Sequence, residues 1–212
     1  MKFLILDTST AYCSVGLKID DKVFSNTKLV PRQHNKYLLQ MISDIFDEAG
    51  VDKKSIDFVA YGVGPGSFVG VRLAAAACQA FAVGLDIPVI GFSSMFAIAK
   101  STATKDKSAV ILDARMGDFY LGLYDLINDE TISENVYKLD EYNLAILNGY
   151  QTTGDSIVSI NLIPDITDFN MNVENLVSFV EKEYIRQKNN NKLTHETYPV
   201  YLRGTSLWSK NS

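Results

Sequence analysis

The fold turns on the stretch Lys2-Phe-Leu-Ile-Leu-Asp7-Thr-Ser9. Four consecutive apolar residues, Phe3 to Leu6, suit a strand buried on both faces. Asp7-Thr8-Ser9 ends it with side chains that satisfy turn backbone. Tyr12 to Ile19 reads as a second strand, Asp20-Asp21 as a turn into Lys22–Val30, and Pro31 as the end of a three-strand meander. The opening stretch then recurs. Ala109-Val-Ile-Leu112-Asp113 is again an apolar run ending in aspartate; Leu6-Asp7 and Leu112-Asp113 lie 106 positions apart, as do Gly16-Leu17 and Gly122-Leu123. Each Gly-Leu is followed by a polar turn, Asp20-Asp21 or Asn128-Asp129, and 106 is half of 212 residues. The spacing predicts a duplicated chain.

Between the two copies, strand and helix patterns alternate. Gln33 to Ala49 carries Tyr37, Leu38, Met41, Ile42, Ile45, Phe46 and Ala49 at helical spacing, with Gly50 as its C′ residue. Asp57–Tyr61 reads as a strand, Phe68 to about Val83 as an alanine-rich helix, Ile87–Ile90 as a short buried strand, and Ser93–Lys100 as a third helix. This β-β-β-α-β-α-β-α order is the connectivity of a ribonuclease-H-like half. In the second copy, Phe119–Leu126 and Ile132–Lys138 predict strands, Glu141–Leu147 a short helix, and Ser156–Leu162 a strand. Val173–Gln187 predicts a helix with Val173, Leu176, Val177, Val180 and Tyr184 on one face, and Pro199–Leu202 an edge segment. The expected architecture is α/β, with related halves at 1–104 and 105–212 and a shortened second half.

Composition excludes several classes. A formal charge of −5 makes the whole chain no electrostatic trap for nucleic acid. Two histidines (His34, His195) and two cysteines (Cys13, Cys78), with no local Cys or His pair, encode neither a zinc site nor a disulfide scaffold, so no metal and a reducing, cytoplasmic setting are expected. The N-terminal apolar run is too short for a signal segment. No run reaches the roughly 18 apolar residues of a membrane span.

Gly62-x-Gly64-x-Gly66-x-x-x-Gly70 links a strand to a helix but is neither a Walker A loop nor a dinucleotide fingerprint. Its amides could hold an anion; the favoured reading is that its glycines permit a tight crossover and close packing of the next helix. On that helix Val71, Ala75, Cys78 and Phe81 share a stripe beside Arg72, which either covers the sheet or meets another protein. Asp7, beside Thr8 and Ser9, could orient a metal-bound water or a phosphate, with Asp113 as its repeat partner. That arrangement supplies the alternative function, an ATP- or metal-dependent kinase or hydrolase centred on Asp7. Against it, the loops after both aspartates, Thr8-Ser9-Thr10 and Ala114-Arg115-Met116, contain no glycine. His34 at a helix start reads as a surface or cap residue. Lys182, Arg186, Lys188 and Lys192 form a mild basic stretch that reads as a solvated face, with RNA phosphates as the weaker reading.

Together these residues resemble the TsaB (YeaZ) family of bacterial tRNA threonylcarbamoyladenosine biosynthesis proteins. The resemblance rests on Leu4-Ile-Leu-Asp7-Thr8-Ser9, on His34 with Leu38, and on Gly64-Pro65-Gly66-Ser67-Phe68-Val69-Gly70-Val71-Arg72. It continues through Asp113-Ala-Arg115-Met-Gly117 and closes with Pro199-Val-Tyr-Leu-Arg203. Val69 departs from the family's usual Thr, which removes a hydroxyl near the loop.

The resemblance implies the actin/hexokinase/Hsp70-like (ASKHA) duplicated fold and a non-catalytic subunit without a cofactor. Such a subunit binds the catalytic paralogue TsaD, and with it the ATPase TsaE, to modify the adenosine beside the anticodon of tRNAs reading ANN codons; tRNA is met through the complex. It further implies pairing with TsaD through the first two helices, and a homodimer when TsaD is absent. Here those helices supply His34, Tyr37, Leu38, Met41, Ile42, Ile45, Val71, Arg72, Ala75 and Cys78. Aligned through Ile87-Pro-Val-Ile-Gly91, the family's metal-binding histidine pair in TsaD falls on about Ser94 and Ile98, neither a suitable ligand.

Overall fold

The computed structural model describes residues 1–138, 143–157, 161–169 and 171–202. The meander is β1 (Lys2–Asp7), β2 (Tyr12–Ile19) and β3 (Lys22–Leu29). It leads through α1 (His34–Ala49), β4 (Phe58–Gly62), α2 (Phe68–Leu85) and β5 (Val89–Phe92) to α3 (Ser94–Thr102). One sheet has the order β3-β2-β1-β4-β5, antiparallel in the meander and parallel from β1 through β4 to β5. The second copy gives β6 (Lys107–Arg115), β7 (Asp118–Asp125), β8 (Glu130–Lys138) and β9 (Gln151–Gly154), in a sheet of order β8-β7-β6-β9 with the same strand senses. This is the duplicated ribonuclease-H-like fold, with, among the described residues, four strands in the second sheet against five in the first.

The copies differ by one residue of register. Gly16 faces Ile5, whereas Gly122 faces Val110, the counterpart of Leu4. The turns explain the slip, because hairpin register follows loop length. Four residues, Thr8 to Ala11, separate β1 from β2. In contrast, β6 and β7 close at Arg115 opposite Asp118 after an irregularity beyond Asp113, with Arg115, Met116 and Gly117 at φ 65°, 57° and 82°.

The fourth strand of the second sheet is not where the apolar pattern put it. β9 is Gln151-Thr-Thr-Gly154, and its inward groups hydrogen-bond instead of packing oil. The Gln151 side chain accepts from the Thr104 amide (2.7 Å), and Thr102 Oγ1 donates to Thr153 Oγ1 (3.2 Å). Of the expected strand at Ser156–Leu162, Ile157 and Leu162 form a single antiparallel bridge, and residues 158–160 lie outside the described residues. Of the expected helix at Glu141–Leu147, Leu144–Leu147 is a 3-10 turn, and residues 141–142 lie outside the described residues. Val173–Leu176 is likewise a 3-10 turn, followed by α4 (Val177–Asn189). The segment from Pro199 to Leu202 carries no strand, and Arg203 lies outside the described residues.

The layers stack as α1 with α2, the first sheet, α3 with α4, and the second sheet. Leu38, Met41, Ile42, Ile45 and Phe46 of α1 and Ala74, Ala75, Cys78 and Ala82 of α2 pack on Leu4, Leu6, Val15, Val59 and Tyr61. On the other face, Phe58 stacks between Phe3 (4.5 Å) and Tyr184 of α4 (4.3 Å). α3 is buried from Ser94 to Ala99 and carries the core across to Val110, Leu112 and Tyr124 of the second sheet. Thus 104/105 separates the strands of the two sheets, while α4 returns to the first sheet.

Polar ties cross between the halves. Glu134 accepts from Ser93 Oγ and from Tyr124 Oη (2.7 Å); burial raises its pKa against those two bonds. Asp129 bridges Lys100 (2.6 Å) and Lys182 (3.0 Å). Burial works to raise its pKa, but the two ammonium groups hold it below the ordinary carboxylate value.

Gly50 ends α1 at φ 66° with open space where a Cβ would sit. Only the left-handed backbone resists a side chain there, so Gly50→Ala is expected to cost about 1 kcal/mol. Thermal unfolding should show a midpoint about 2–4 °C lower.

α2 is an 18-residue helix of mean hydropathy 1.7, long and apolar enough by length and composition to cross a bilayer. The apolar run is interrupted only by Arg72 and Gln79, which a strict count of consecutive apolar residues rejects. In the fold one face of this helix lies flat on β1 and β4.

Candidate functional site

The C-terminal ends of β1 and β4 bring together the motif residues of the first half. Asp7 is 1% exposed, and both of its oxygens are engaged. Oδ1 accepts from the Ser9 amide and from Ser9 Oγ (2.7 Å each), and Oδ2 accepts from Ser94 Oγ (2.8 Å). Ser94 and Gly64 are tied twice: the Gly64 amide donates to Ser94 Oγ (3.2 Å) and the Ser94 amide to the Gly64 carbonyl (3.0 Å). Gly62 lies against the carboxylate so closely that any Cβ there would overlap Asp7 Oδ2.

The glycine loop is clasped to the turn after β1. The Ser67 amide donates to the Ser9 carbonyl (2.7 Å), and Thr8 Oγ1 donates to the Gly70 carbonyl (2.6 Å). A Cβ on Gly66 would sit 2.6 Å from the Ser9 carbonyl oxygen, and one on Gly70 would overlap that of Thr8. Close backbone approach is therefore what these glycines serve. Gly64, at φ 97°, precedes Pro65 in the tight turn, and the Ser67 side chain caps α2 by accepting from the Gly70 amide (3.2 Å).

Burial raises the Asp7 pKa above its ordinary 3.8, opposed by the bonds from Ser9 and Ser94 and by the charge of His34. A carboxyl raised in the fold contributes stability that is full below its unfolded value and lost as pH rises through the folded value. Relative to Asp7→Asn, the native chain should be more stable at pH 4 than at pH 7, as urea midpoints at the two values would show. A difference independent of pH would contradict the assignment.

Asp113 occupies the equivalent strand end but sits in a different setting. It is partly exposed, its Oδ1 accepts from the Arg115 amide (2.7 Å), and it pairs with Arg115 Nη1 (2.9 Å). Its own amide donates to Asp155 (2.9 Å). The two repeat aspartates are thus held by separate sets of partners. Among the described residues, no group of three or more His, Cys, Asp or Glu is placed to hold a metal ion. Both cysteines are buried; burial first, and then the Asp7 charge, pushes Cys13 up to about 12, and burial raises Cys78.

Several expected partner-facing residues prove to be core. Leu38, Met41, Ile42 and Ile45 on α1, and Val71, Ala75 and Cys78 on α2, are buried within this chain. A helix lying on a sheet must give its apolar stripe to that sheet, and α1 has only one such stripe. Tyr37 is half-buried beneath Lys28, 4.3 Å from its ring centre. His34 is buried, not a surface cap; its Nε2 donates to the Tyr12 carbonyl (3.1 Å), and Gln33 is the N-cap. Arg72 is exposed and stacks on Phe68, its guanidinium 3.3 Å from the ring centre, with Tyr201 on a second side at 4.9 Å.

Of the residues that do face outward on α2, the sequence reading placed only Arg72 at a partner surface; Ala76, Ala80 and Val83 were missed. Phe68, Val69, Arg72, Ala76, Ala80 and Val83 are exposed, and Leu73 and Ala77 are half-buried beside them. Val69 is 73% and Val83 80% exposed, and Leu39 on neighbouring α1 is 69% exposed. A solvated helix face ordinarily carries several charges; this one carries only Arg72. The basic C-terminal stretch, by contrast, is largely satisfied. Lys182 pairs with Asp129, Arg186 with Glu183 (2.7 Å), and Lys188 lies over Tyr184.

Fold and site together define a protein of the duplicated ribonuclease-H-like, ASKHA class whose first strand-end aspartate is closed by its own chain. The family model described as "TsaD: tRNA N6-adenosine threonylcarbamoyltransferase" matches residues 22–190. The chain is 29% identical to the tRNA threonylcarbamoyladenosine biosynthesis protein TsaB of Escherichia coli K12, covering 99% of this chain and 98% of that one. It is 30% identical to the TsaB of Haemophilus influenzae, covering 99% and 97%. The solved structure of YeaZ from Pseudomonas aeruginosa superposes with a TM-score of 0.81 at 30% identity, covering 95% of this chain and 99% of that one. The chain belongs to the TsaB (YeaZ) family of tRNA threonylcarbamoyladenosine biosynthesis proteins.

Proposed function

We propose that the chain is a non-catalytic subunit that binds TsaD, and TsaE with it, to support threonylcarbamoyl transfer to the adenosine beside the anticodon of tRNAs reading ANN codons. It acts in the cytoplasm without a cofactor of its own, and it self-associates through the same face when TsaD is absent. The halves 1–104 and 105–212 are taken as its two related units.

The outward face of α2 carries this reading. Val69, Leu73, Ala76, Ala77, Ala80 and Val83 present apolar surface on a helix fixed to a rigid sheet. Three of them are alanines, which let a partner helix approach closely, since interaxial distance follows side-chain size at the contact. Leu39 continues the surface onto α1. Along α1 the exposed charges are divided, with Lys36 toward one end and Asp44, Asp47 and Glu48 toward the other. An antiparallel, two-fold arrangement would pair opposite charges. The non-catalytic part of the proposal is supported by Asp7, whose oxygens are occupied by Ser9 and Ser94 behind Gly62.

Size exclusion with light scattering on the chain mixed with TsaD tests the pairing. A complex of one chain with one TsaD is expected, replacing a dimer of the free chain. Independent elution of the two proteins at micromolar concentration would sink the reading.

A further inference from the structure

We infer that Asp7 is a positioning residue for the outward face of α2, acting through Ser9 and Ser94. This inference rests on the proposed pairing with TsaD and assigns a residue that controls it. Four elements meet at the Asp7 carboxylate: the end of β1, the turn Thr8-Ser9, the glycine loop before α2, and the first residue of α3. Oδ1 folds Ser9 back, so the Ser9 carbonyl is presented to the Ser67 amide at the start of α2. Oδ2 holds the Ser94 hydroxyl, whose oxygen accepts from Gly64 two residues before Gly66. The carboxylate thus reaches the N-terminal turn of α2 by two routes, and that turn carries Phe68, Val69 and Arg72 of the outward face. Gly62 leaves space for the carboxylate and the Ser94 hydroxyl, where a Cβ would overlap both.

The location argues for positioning and not for packing alone. α2 is anchored along its length by Ala74, Ala75, Cys78 and Ala82 on the sheet. The polar clasp meets the helix at its first turn, where Val71 is the one buried apolar side chain, so loosening the clasp displaces the first turn and leaves the rest of the helix docked.

Ser94→Ala breaks the Oδ2 route with the loss of one oxygen atom, and Gly62→Ala displaces the carboxylate itself. Two readouts are taken on each folded variant: amide hydrogen exchange along the chain, and tRNA threonylcarbamoylation by TsaD and TsaE as the chain is titrated in. Exchange about tenfold faster at residues 64–71 is expected, with β6 to β9 unchanged. The chain concentration for half-maximal activity should rise about tenfold while the plateau rate stays at the native value. Unaltered exchange at residues 64–71 would overturn the inference, and so would faster exchange with an unaltered titration midpoint. Should the native chain itself fail to bind TsaD, the proposed function fails, while the exchange data still report whether the clasp holds the first turn of α2.

Discussion

Ala76→Glu is expected to weaken binding to TsaD at least 100-fold while leaving the chain folded. Ala76 lies midway along the outward face of α2, exposed, with Leu73 and Ala77 beside it and Val69 and Val83 toward the ends. Against solvent the substitution is mild: glutamate is a good helix former and the site is not packed, so the fold should change by no more than about 0.5 kcal/mol. Against a docked helix it places a charge and a longer side chain where an alanine permitted close approach. Truncations and clashes at the centre of an interface commonly cost 2–4 kcal/mol, and a 100-fold loss corresponds to about 2.7 kcal/mol. Calorimetric titration into TsaD, with thermal unfolding of the free variant beside it, checks both halves of the expectation. Native affinity in Ala76→Glu would remove α2 from the interface.

Met41→Glu should behave in the opposite way. Met41 looks from the sequence like a partner contact, but it is 4% exposed, packed with Leu38, Ile42 and Ile45 against the sheet. Placing a carboxylate there leaves a charge without a partner in an apolar core and removes the methionine packing as well. The cost is about 4 kcal/mol or more, a large share of the roughly 5–15 kcal/mol that stabilises a domain. The variant should lose its cooperative urea transition near neutral pH, and any loss of TsaD binding would follow from unfolding. A stable, folded Met41→Glu that fails only to bind would mean that α1 presents its other face to the partner.

The contrast between Met41 and Ala76 shows what the chain's own pattern can disclose. Phe3 to Leu6, the recurrence at Val110 to Leu112, and the stripe of α1 are legible because apolar periodicity reports burial, and burial in this fold is mostly against the chain's own sheets. α2 is illegible by the same rule. It is apolar on nearly every side, so periodicity cannot say which side meets the sheet. The sheet takes Ala74, Ala75, Cys78 and Ala82, and the surface left over is Val69, Ala76, Ala80 and Val83, with Leu73 half-buried at its edge. The available signals were the mismatch of an 18-residue helix with almost no charge, and Leu39 standing outside the α1 stripe.

The polar site was legible in part. Asp7, Thr8 and Ser9 stand out as a strand-end cluster, and the glycines of residues 62–70 as a place of close approach. Ser94 does not, because its partner lies 87 residues away and a serine at a helix start has an ordinary local explanation. The same limit hid β9. Its Gln151 and Thr153 are buried by hydrogen bonds to Thr104 and Thr102, and hydropathy does not register that kind of burial.

The central claim is that the chain acts by binding TsaD and performs no chemistry of its own. It is tested most directly by the rate of tRNA threonylcarbamoylation at fixed TsaD and TsaE while this chain is increased. An accessory subunit predicts a rate that climbs and then saturates at one chain per TsaD, with no modification when TsaD is left out. A rate that keeps rising in proportion to the chain well beyond that ratio, or modification without TsaD, would contradict the account.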